Sequence, residues 1–197
     1  MLFISLCNFV HSLVPFVLKK EIKHEGLKGY TKVCTKDFKV QKYKTKLKQL
    51  NLPEYSFKIR GKEGEEMILD PLRRRYVKLT PEEWVRQNFI QYLIHAGKYP
   101  QGLMGVEMQF GHNRLKRRTD ILVHNRSGEP VMIVECKAPD VELVEKVFEQ
   151  IVDYNRKFKV PYLVVTNGMH HWACKFNSDF KDWGYLLEIP LYDELIS

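Results

Sequence analysis

Residues 117–137 read RRTDILVHNRSGEPVMIVECK. Two short apolar runs, residues 121–123 and 131–134, flank the polar group 125–128, a pattern typical of two β-strands joined by a tight turn. Pro139 follows the second run and stops it. We therefore predict neighbouring strands over residues 117–124 and 131–137.

Helix and strand patterns alternate on both sides of this pair. Thr80 followed by Pro81 has the residue types of a helix N-cap and first turn, and Gly97 marks the end of the helix after about Ala96. The other predicted elements are a strand over 105–111, a helix over 141–158, and strands over 161–166 and 169–176 around a two-residue turn at 167–168. This order predicts an α/β fold with a mixed central sheet flanked by helices.

The charge of the chain is unevenly distributed. The 197 residues carry a net charge of +8, but residues 1–50 alone contain 11 Lys and 3 acidic residues. The remaining residues are therefore balanced, and an argument for DNA binding must rest on local clusters of charge. We predict two parts, an N-terminal extension over 1–50 and a domain over 51–197.

The extension allows three interpretations. Residues 2–18 are apolar but are interrupted by His11 and Pro15, and residues 19–48 are rich in Lys. The first is that residues 1–48 lie upstream of the true start of the protein or are an irregular, disordered extension; the others are a membrane anchor with a positive flank and an ordered helix packed on the domain. We favour the first. The four widely spaced Cys residues form no CxxC pair, so we expect a reducing, cytoplasmic location.

Three charged residues fall where a sheet is normally apolar. Asp120 opens the run 121–123, and Glu135 and Lys137 end the run 131–134. Buried carboxylates are costly unless a partner compensates them, and magnesium prefers carboxylate oxygens together with waters and phosphate oxygens. We predict a Mg²⁺ site, which Mn²⁺ can also fill, held by Asp120, Glu135 and the backbone carbonyl of Cys136.

Such a site has the parts that phosphodiester hydrolysis needs. A metal lowers the pKa of a bound water and polarises the phosphate. Lys137 would position that water or neutralise developing charge. Gln150 and Tyr154 lie four residues apart on the predicted helix, so they share a face from which both could reach the site. The competing interpretation is a surface salt bridge between strand-end residues.

Several motifs together resemble the N-terminal nuclease domain of the R subunit of type I restriction enzymes, a PD-(D/E)XK nuclease, in a short standalone form. They are Asp70–Val77 (DPLRRRYV), Pro81–Gln87 (PEEWVRQ), Arg117–Val123 (RRTDILV), Ile133–Pro139 (IVECKAP), Gln150 with Tyr154 and Asn155, and Val165–Gly168 (VTNG).

The resemblance implies a restriction-endonuclease-like fold and assigns roles to residues. It implies that Asp120, Glu135 and Lys137 are catalytic, with Gln150 and Tyr154 as accessory catalytic residues. Family members also use an acidic residue of the first helix near the metal. Glu83 is our choice, with Glu82 next, and Glu107 on the first strand of the meander is another carboxylate that could face the site.

The chain departs from the family pattern in two ways. Thr119 stands where the family name has Pro, which matters little because the following Asp120 would bind the metal. The sequence also contains no G-x-x-x-x-G-K-[ST] phosphate loop, so ATP-driven translocation is not implied. A motor or specificity subunit acting in trans is a candidate partner, and we expect no small-molecule cofactor.

Two basic groups could follow a phosphate backbone. One is the run 73–75, and the other precedes Asp120 and comprises Arg114, Lys116, Arg117 and Arg118. We favour the second group as the DNA contact because it flanks the predicted metal site. The sequence thus predicts a metal-dependent endodeoxyribonuclease of a restriction, defence or DNA-processing system. The alternative is a non-catalytic DNA-binding or assembly subunit that retains the fold.

Overall fold

A computed structural model of the chain describes residues 47–62, 64–110, 117–156 and 158–196. The extension predicted for residues 1–46 lies outside them. The elements of the described residues are β1 (Ile59–Arg60), β2 (Met67–Asp70), β3 (Arg75–Lys78), α1 (Pro81–His95), a 3-10 helix (Gln101–Leu103), β4 (Met104–Phe110), β5 (Arg117–His124), β6 (Pro130–Cys136), α2 (Glu145–Asn155), β7 (Tyr162–Thr166), β8 (His171–Phe176), β9 (Trp183–Leu186) and α3 (Tyr192–Leu195).

The central sheet has six strands in the order β4-β5-β6-β7-β8-β9. All neighbours pair antiparallel except β6 and β7, which run parallel. A parallel pair needs a crossover connection, and α2 supplies it. The α/β fold with a mixed sheet is therefore confirmed.

Both faces of the sheet are buried, one under each long helix. On β5, Ile121 and Val123 belong to the apolar cluster that contains Phe89 of α1. Leu122, between them, belongs to the cluster that contains Phe148 of α2. Because neighbouring side chains of a strand point to opposite faces, burial on both sides requires an unbroken apolar run. This explains why the sequence shows continuous runs instead of alternation.

Helix α1 begins and ends as predicted. Thr80 is the N-cap, and its hydroxyl accepts the backbone N–H of Glu83 at 3.1 Å. Pro81 occupies the first turn, where no backbone donor is needed. The N–H of Ala96 bonds to the carbonyl of Tyr92 at 2.9 Å at the other end. No helix among the described residues has both the length and the apolarity required to cross a membrane.

Helix α2 is shorter than the predicted range 141–158. Its start is delayed because residues before it form a loop: the Asn167 side chain donates to the carbonyl of Val141 at 2.9 Å, and the Val141 N–H bonds to Ala138 at 3.0 Å. At its other end the chain leaves the helix after Asn155, whose carbonyl accepts the N–H groups of both Phe158 and Lys159, and Lys159 has a positive φ of 55°.

The predicted two-residue turn between β7 and β8 is wrong, since four residues, 167–170, separate these strands. The Asn167 side chain accepts the N–H groups of Met169 and His170 at 2.9 and 2.8 Å, which stabilises the wider loop. Gly168 has a φ of 79°, and a Cβ there would come within 2.8 Å of the Leu50 side chain. Glycine is therefore required at this position on two grounds.

A small antiparallel sheet, β1-β2-β3, precedes α1 and was not predicted. Strand β1 has two residues, and β2 and β3 have four each. Strands this short show no recognisable alternation of apolar and polar residues, and β2 ends in the charged residue Asp70. The four-residue elements β9 and α3 were missed for the same reason of length.

The segment just before residue 53 packs on the domain. The Trp84 indole donates to the carbonyl of Lys48 at 3.1 Å, and the Asn51 N–H donates to the carbonyl of Gly168 at 2.8 Å. Leu50 and Leu52 pack against the α1-side core. The packed structure therefore includes residues on the N-terminal side of the boundary we placed at residue 51.

His171 joins this segment to the end of β7. Its Nδ1 lies 2.7 Å from the Thr166 hydroxyl, and its Nε2 lies 3.4 Å from the carbonyl of Asn51. Burial lowers the pKa of His171 below its ordinary value of 6.5, and the Asn51 carbonyl opposes this only in part. The folded protein therefore binds the His171 proton less readily than the unfolded chain does.

We predict that His171 makes the protein less stable as the pH falls below about 6.5, because the unfolded state then takes up the proton first. Urea unfolding midpoints should fall more steeply from pH 7 to 5 in the wild type than in His171→Gln. The matched control is His95→Gln, since His95 is exposed. Parallel pH curves for wild type and His171→Gln would contradict the prediction.

Candidate active site

Asp120 links three elements of the fold. It lies on β5, and its Oδ2 accepts the backbone N–H of Cys136 on β6 at 2.6 Å. Its Oδ1 accepts a guanidinium N–H of Arg86 on α1 at 2.6 Å. The regular pairing of β5 with β6 stops one residue earlier, at Ile121 and Val134. The Asp120 carboxylate thus takes the place of a backbone acceptor at the end of the strand pair.

The strand beside Asp120 is distorted. Strand β4 pairs with β5 on either side of Glu107, at Val106 and Met108, but Glu107 itself is absent from the pairing and has a φ of 53°. A non-glycine residue in this region costs about 1–3 kcal/mol, and such strain is concentrated at functional sites. Two ion pairs of its carboxylate, with Arg73 at 2.6 Å and with Arg118 at 2.7 Å, hold Glu107 there.

Glu135 and Lys137 lie at the same end of the sheet. Glu135 is on β6 and only 8% exposed. Its neighbour Cys136 belongs to the α1-side core, whereas Ile133 belongs to the α2-side core. By alternation Glu135 faces the α2 side, whereas the Asp120 carboxylate contacts Arg86 of α1. Lys137 is half-buried just beyond β6, and its N–H extends the β6–β7 pairing by bonding to Thr166 at 2.8 Å.

Glu83 of α1 is connected to Asp120 through Arg86. Arg86 is 5% exposed and bonds the carboxylates of both Glu83 and Asp120. Glu83 also accepts from the side chain of Gln87 at 2.8 Å. Glu82 contacts Arg86 at 3.2 Å and is half-exposed. Of the two helix carboxylates, Glu83 is therefore the one buried beside Asp120.

Arg73 is the second arginine that binds Glu83, and it connects three carboxylates. Its guanidinium pairs with Asp70 and Glu83 at 2.5 Å each and with Glu107 at 2.6 Å. Its side chain is only 12% exposed. Sequence reasoning did not assign this role, and neither Arg73 nor Arg86 was marked as part of the site. Two motifs of the sequence, DPLRRR and PEEWVRQ, could have indicated this role, because each of them contains at least one acidic residue together with Arg.

The network fixes the charge states of its members. Burial lowers the pKa of Arg86, but the Asp120 and Glu83 carboxylates outweigh it and raise that pKa above its ordinary value. Burial likewise raises the pKa of Glu107, but Arg118 and Arg73 lower it below its usual range. Burial raises the pKa of the Cys136 thiol well above its ordinary value. The Cys136 thiol therefore stays protonated.

The donor chemistry fits a divalent cation. The site holds the carboxylates of Asp70, Glu82, Glu83, Glu107, Asp120 and Glu135 against the cations Arg73, Arg86, Arg118 and Lys137, which leaves an excess of negative charge. As the described side chains stand, no three or more His, Cys, Asp or Glu residues form a metal-binding set. Both oxygens of Asp120 are engaged within the protein, one by Arg86 and the other by the Cys136 N–H.

The remaining predicted site residues are only partly placed. Gln150 is exposed on α2, and within the described residues no hydrogen bond joins it to Asp120, Glu135 or Lys137. Tyr154 is on the same helix, with its side chain outside the described part. Arg118 is exposed and paired with Glu107. Arg114 and Lys116 lie outside the described residues, as does the side chain of Arg117, the first residue of β5.

We predict that Arg73→Met destabilises the protein by about 3–5 kcal/mol, because it leaves three carboxylates without their buried partner. The control is Arg75→Met, whose side chain comes from the same Arg run but is exposed, and it should change stability by less than about 0.5 kcal/mol. Urea unfolding measures both. Equal midpoints for the two variants would show that the Arg73 network does not stabilise the fold.

Comparisons with known proteins identify the family of the chain. A solved structure of a fragment described as an HsdR subunit of a type I restriction enzyme from Vibrio vulnificus YJ016 is 20% identical, with a TM-score of 0.45 over 60% of this chain. The alignment spans 25% of that chain. No curated protein matches. The family model for the type I restriction enzyme R protein N terminus (HSDR_N) matches residues 81–190, more than half of the chain, so the protein belongs to this restriction-related family.

Proposed function

We propose that this chain is a metal-dependent nuclease that hydrolyses phosphodiester bonds of DNA, as an endonuclease of a restriction, defence or DNA-processing system. The observation that carries the proposal is the 2.6 Å bond between the Cys136 N–H and the Asp120 carboxylate. It fixes the end of β5 against the end of β6, so the two predicted metal ligands Asp120 and Glu135 come from adjoining strand ends. Membership of the R protein N-terminal family supports the nuclease class.

Asp120, Glu135 and the carbonyl of Cys136 would hold Mg²⁺ or Mn²⁺, with Glu83 as the acidic residue on the helix side. A bound divalent metal supplies a water of lowered pKa and polarises the phosphate. Glu83 and Asp120 already share Arg86, so a shift of that guanidinium would free an oxygen of each. The half-exposed Glu82 is held by the same guanidinium at 3.2 Å.

Lys137 is the cation next to the proposed metal ligands. Its backbone N–H is fixed to Thr166, so its position at the strand end is set by the sheet and not by a mobile loop. An ammonium group there would orient the attacking water and stabilise the negative charge that develops on the phosphate. Gln150 and Tyr154 of α2 would assist by hydrogen bonding to the water, the phosphate or Lys137.

Arg118 and the basic residues before it would receive the DNA. Arg118 is 62% exposed in its side chain and is the second residue of the strand that carries Asp120. Arg114, Lys116 and Arg117 precede it in sequence, so their charge would reach phosphates close to the scissile bond. A motor or specificity subunit acting in trans is the proposed protein partner, since the chain contains no ATP-binding phosphate loop of its own.

One observation favours a second candidate, a non-catalytic DNA-binding or assembly subunit. Both oxygens of Asp120 are already engaged within the protein, by Arg86 and by Cys136. A carboxylate whose two oxygens are both hydrogen-bonded within the protein could have a purely structural role. The intact set of Asp120, Glu135 and Lys137 argues for the nuclease, because a binding module has no need of an acid pair with an adjoining Lys.

We predict that the wild type cleaves DNA in Mg²⁺ or Mn²⁺ and not in EDTA, and that Lys137→Ala reduces the cleavage rate by at least about 100-fold, as loss of an electrostatic stabiliser does. Lys181→Ala, which changes an exposed Lys far along the chain, is the control and should cleave like the wild type. Single-stranded and double-stranded substrates are compared by gel assay. Equal rates for Lys137→Ala and the wild type would refute the catalytic assignment.

We predict that Arg86→Met lowers stability in EDTA by about 3–5 kcal/mol, because Asp120 and Glu83 lose their buried partner. Mn²⁺ should then restore more stability to this variant than it adds to the wild type, since a cation competes with the Arg86 guanidinium for Asp120. The control is Arg156→Met, which removes an exposed Arg of α2. Thermal unfolding with and without Mn²⁺ tests this, and equal metal-induced shifts would favour the non-catalytic candidate.

A further inference from the structure

The small sheet β1-β2-β3 has one buried face and one accessible face. On β2, Ile68 and Asp70 are fully buried, whereas Met67 and Leu69 between them are partly exposed. Directly opposite residues of an antiparallel pair share a face. The register places Arg60 of β1 and Lys78 of β3 on either side of Met67, so all three are on the accessible face.

The accessible face is basic and carries an aromatic ring. Arg60 and Lys78 are exposed, and the guanidinium of Arg60 lies 3.7 Å from the centre of the Tyr76 ring. Tyr76 is opposite Leu69 and therefore shares this face. A ring holds a guanidinium flat against it and leaves the N–H edges of the guanidinium pointing outward. Arg60 is thus oriented before any ligand arrives.

The exposed charge of this sheet is almost all of one sign. Residues 56–62 and 64–79 expose six basic side chains, Lys58, Arg60, Lys62, Arg74, Arg75 and Lys78. The same ranges expose one carboxylate, Glu65, while Glu63 lies outside the described residues. Glu66 and Asp70 are buried and do not screen the surface. Such a face suits a polyanion.

The basic face is joined to the candidate active site. Arg73, in the turn between β2 and β3, and Arg118, at the start of β5, bind the two different oxygens of the same Glu107 carboxylate. The turn of the small sheet is therefore next to the basic approach to Asp120. Arg74 follows Arg73 directly and is exposed, so positive charge continues along the turn that leads to β3.

We propose that the accessible face of β1-β2-β3 binds the sugar–phosphate backbone of the DNA and guides it to the site at Asp120. The proposal rests on the nuclease function proposed above and extends it with a substrate-binding surface. On the accessible face, two interstrand spacings separate Arg60 of β1 from Lys78 of β3, about 10 Å, a length over which duplex DNA carries about six phosphates. The sheet precedes residues 81–190, so the family match does not include it.

The contacts expected on this face are independent of base sequence. Lys and Arg side chains on a strand reach phosphate oxygens, and contacts to phosphates carry no sequence information. Binding should therefore depend strongly on salt, with a slope of log Kd against log salt that grows by about 0.9 for each phosphate neutralised.

The test measures binding separately from cleavage. Fluorescence anisotropy with a labelled 30-base-pair duplex is recorded in EDTA across a salt series, for the wild type and for Arg60→Gln/Lys78→Gln. Glutamine keeps part of each stem and removes both charges. We expect Kd to rise at least about tenfold at moderate salt and the salt slope to fall by about 2, as the loss of two phosphate contacts requires.

The matched control is Lys175→Gln/Lys181→Gln, which removes two exposed charges from the other end of the chain and should bind like the wild type. Equal loss of binding in both double variants, or no loss in Arg60→Gln/Lys78→Gln, would overturn the proposal. Urea unfolding of each variant checks that the fold is unchanged.

Cleavage in Mg²⁺ separates this proposal from the nuclease function on which it rests. If the wild type cleaves, the Arg60→Gln/Lys78→Gln variant should need more DNA for half-maximal rate but reach the wild-type rate at saturation. A wild type that cleaves while this variant behaves identically overturns only the DNA-guiding face. A wild type that neither binds nor cleaves DNA overturns both.

Discussion

The contact of Asp120 with Arg86 and with the Cys136 backbone joins α1, β5 and β6 at one point. Asp120 and Arg86 are both charged and largely buried. A buried charge costs several kcal/mol unless it is paired, and it is paired here only when the helix and both strands are in their observed places. Apolar packing on the two faces of the sheet supplies most of the driving force for folding, but this contact sets how the sheet ends meet α1.

The same region shows strain and surplus charge. Glu107 is held at a positive φ beside Asp120, and its cost is offset by ion pairs with Arg73 and Arg118. The carboxylates still outnumber the cations. Backbone strain and a dense set of buried ion pairs in one corner of a sheet are features that are concentrated at functional sites.

Basic residues that are neighbours in sequence have different environments. Arg73 is buried among three carboxylates, while Arg74 and Arg75 remain exposed. The distinction depends on the turn that Asp70 closes by accepting the N–H groups of Leu72 and Arg73 at 2.7 and 2.8 Å. A basic run is therefore divided by the turn into a part that stabilises the fold and a part that is available to a polyanion.

The local pattern of the sequence was enough to predict α1, β4 to β8 and the mixed sheet, because capping residues and continuous apolar runs are read over a few neighbouring positions. It also singled out Asp120, Glu135 and Lys137 by their residue types, and the family resemblance added Glu83. The catalytic and metal-binding roles of these residues stay predictions. Only the tertiary structure showed that Arg86 connects Glu83 to Asp120, and that β1 to β3 form a basic sheet beside them. These contacts join side chains that are up to 34 positions apart in the sequence. The spacing of apolar residues, from which helices and strands are predicted, carries no information about contacts at such a separation.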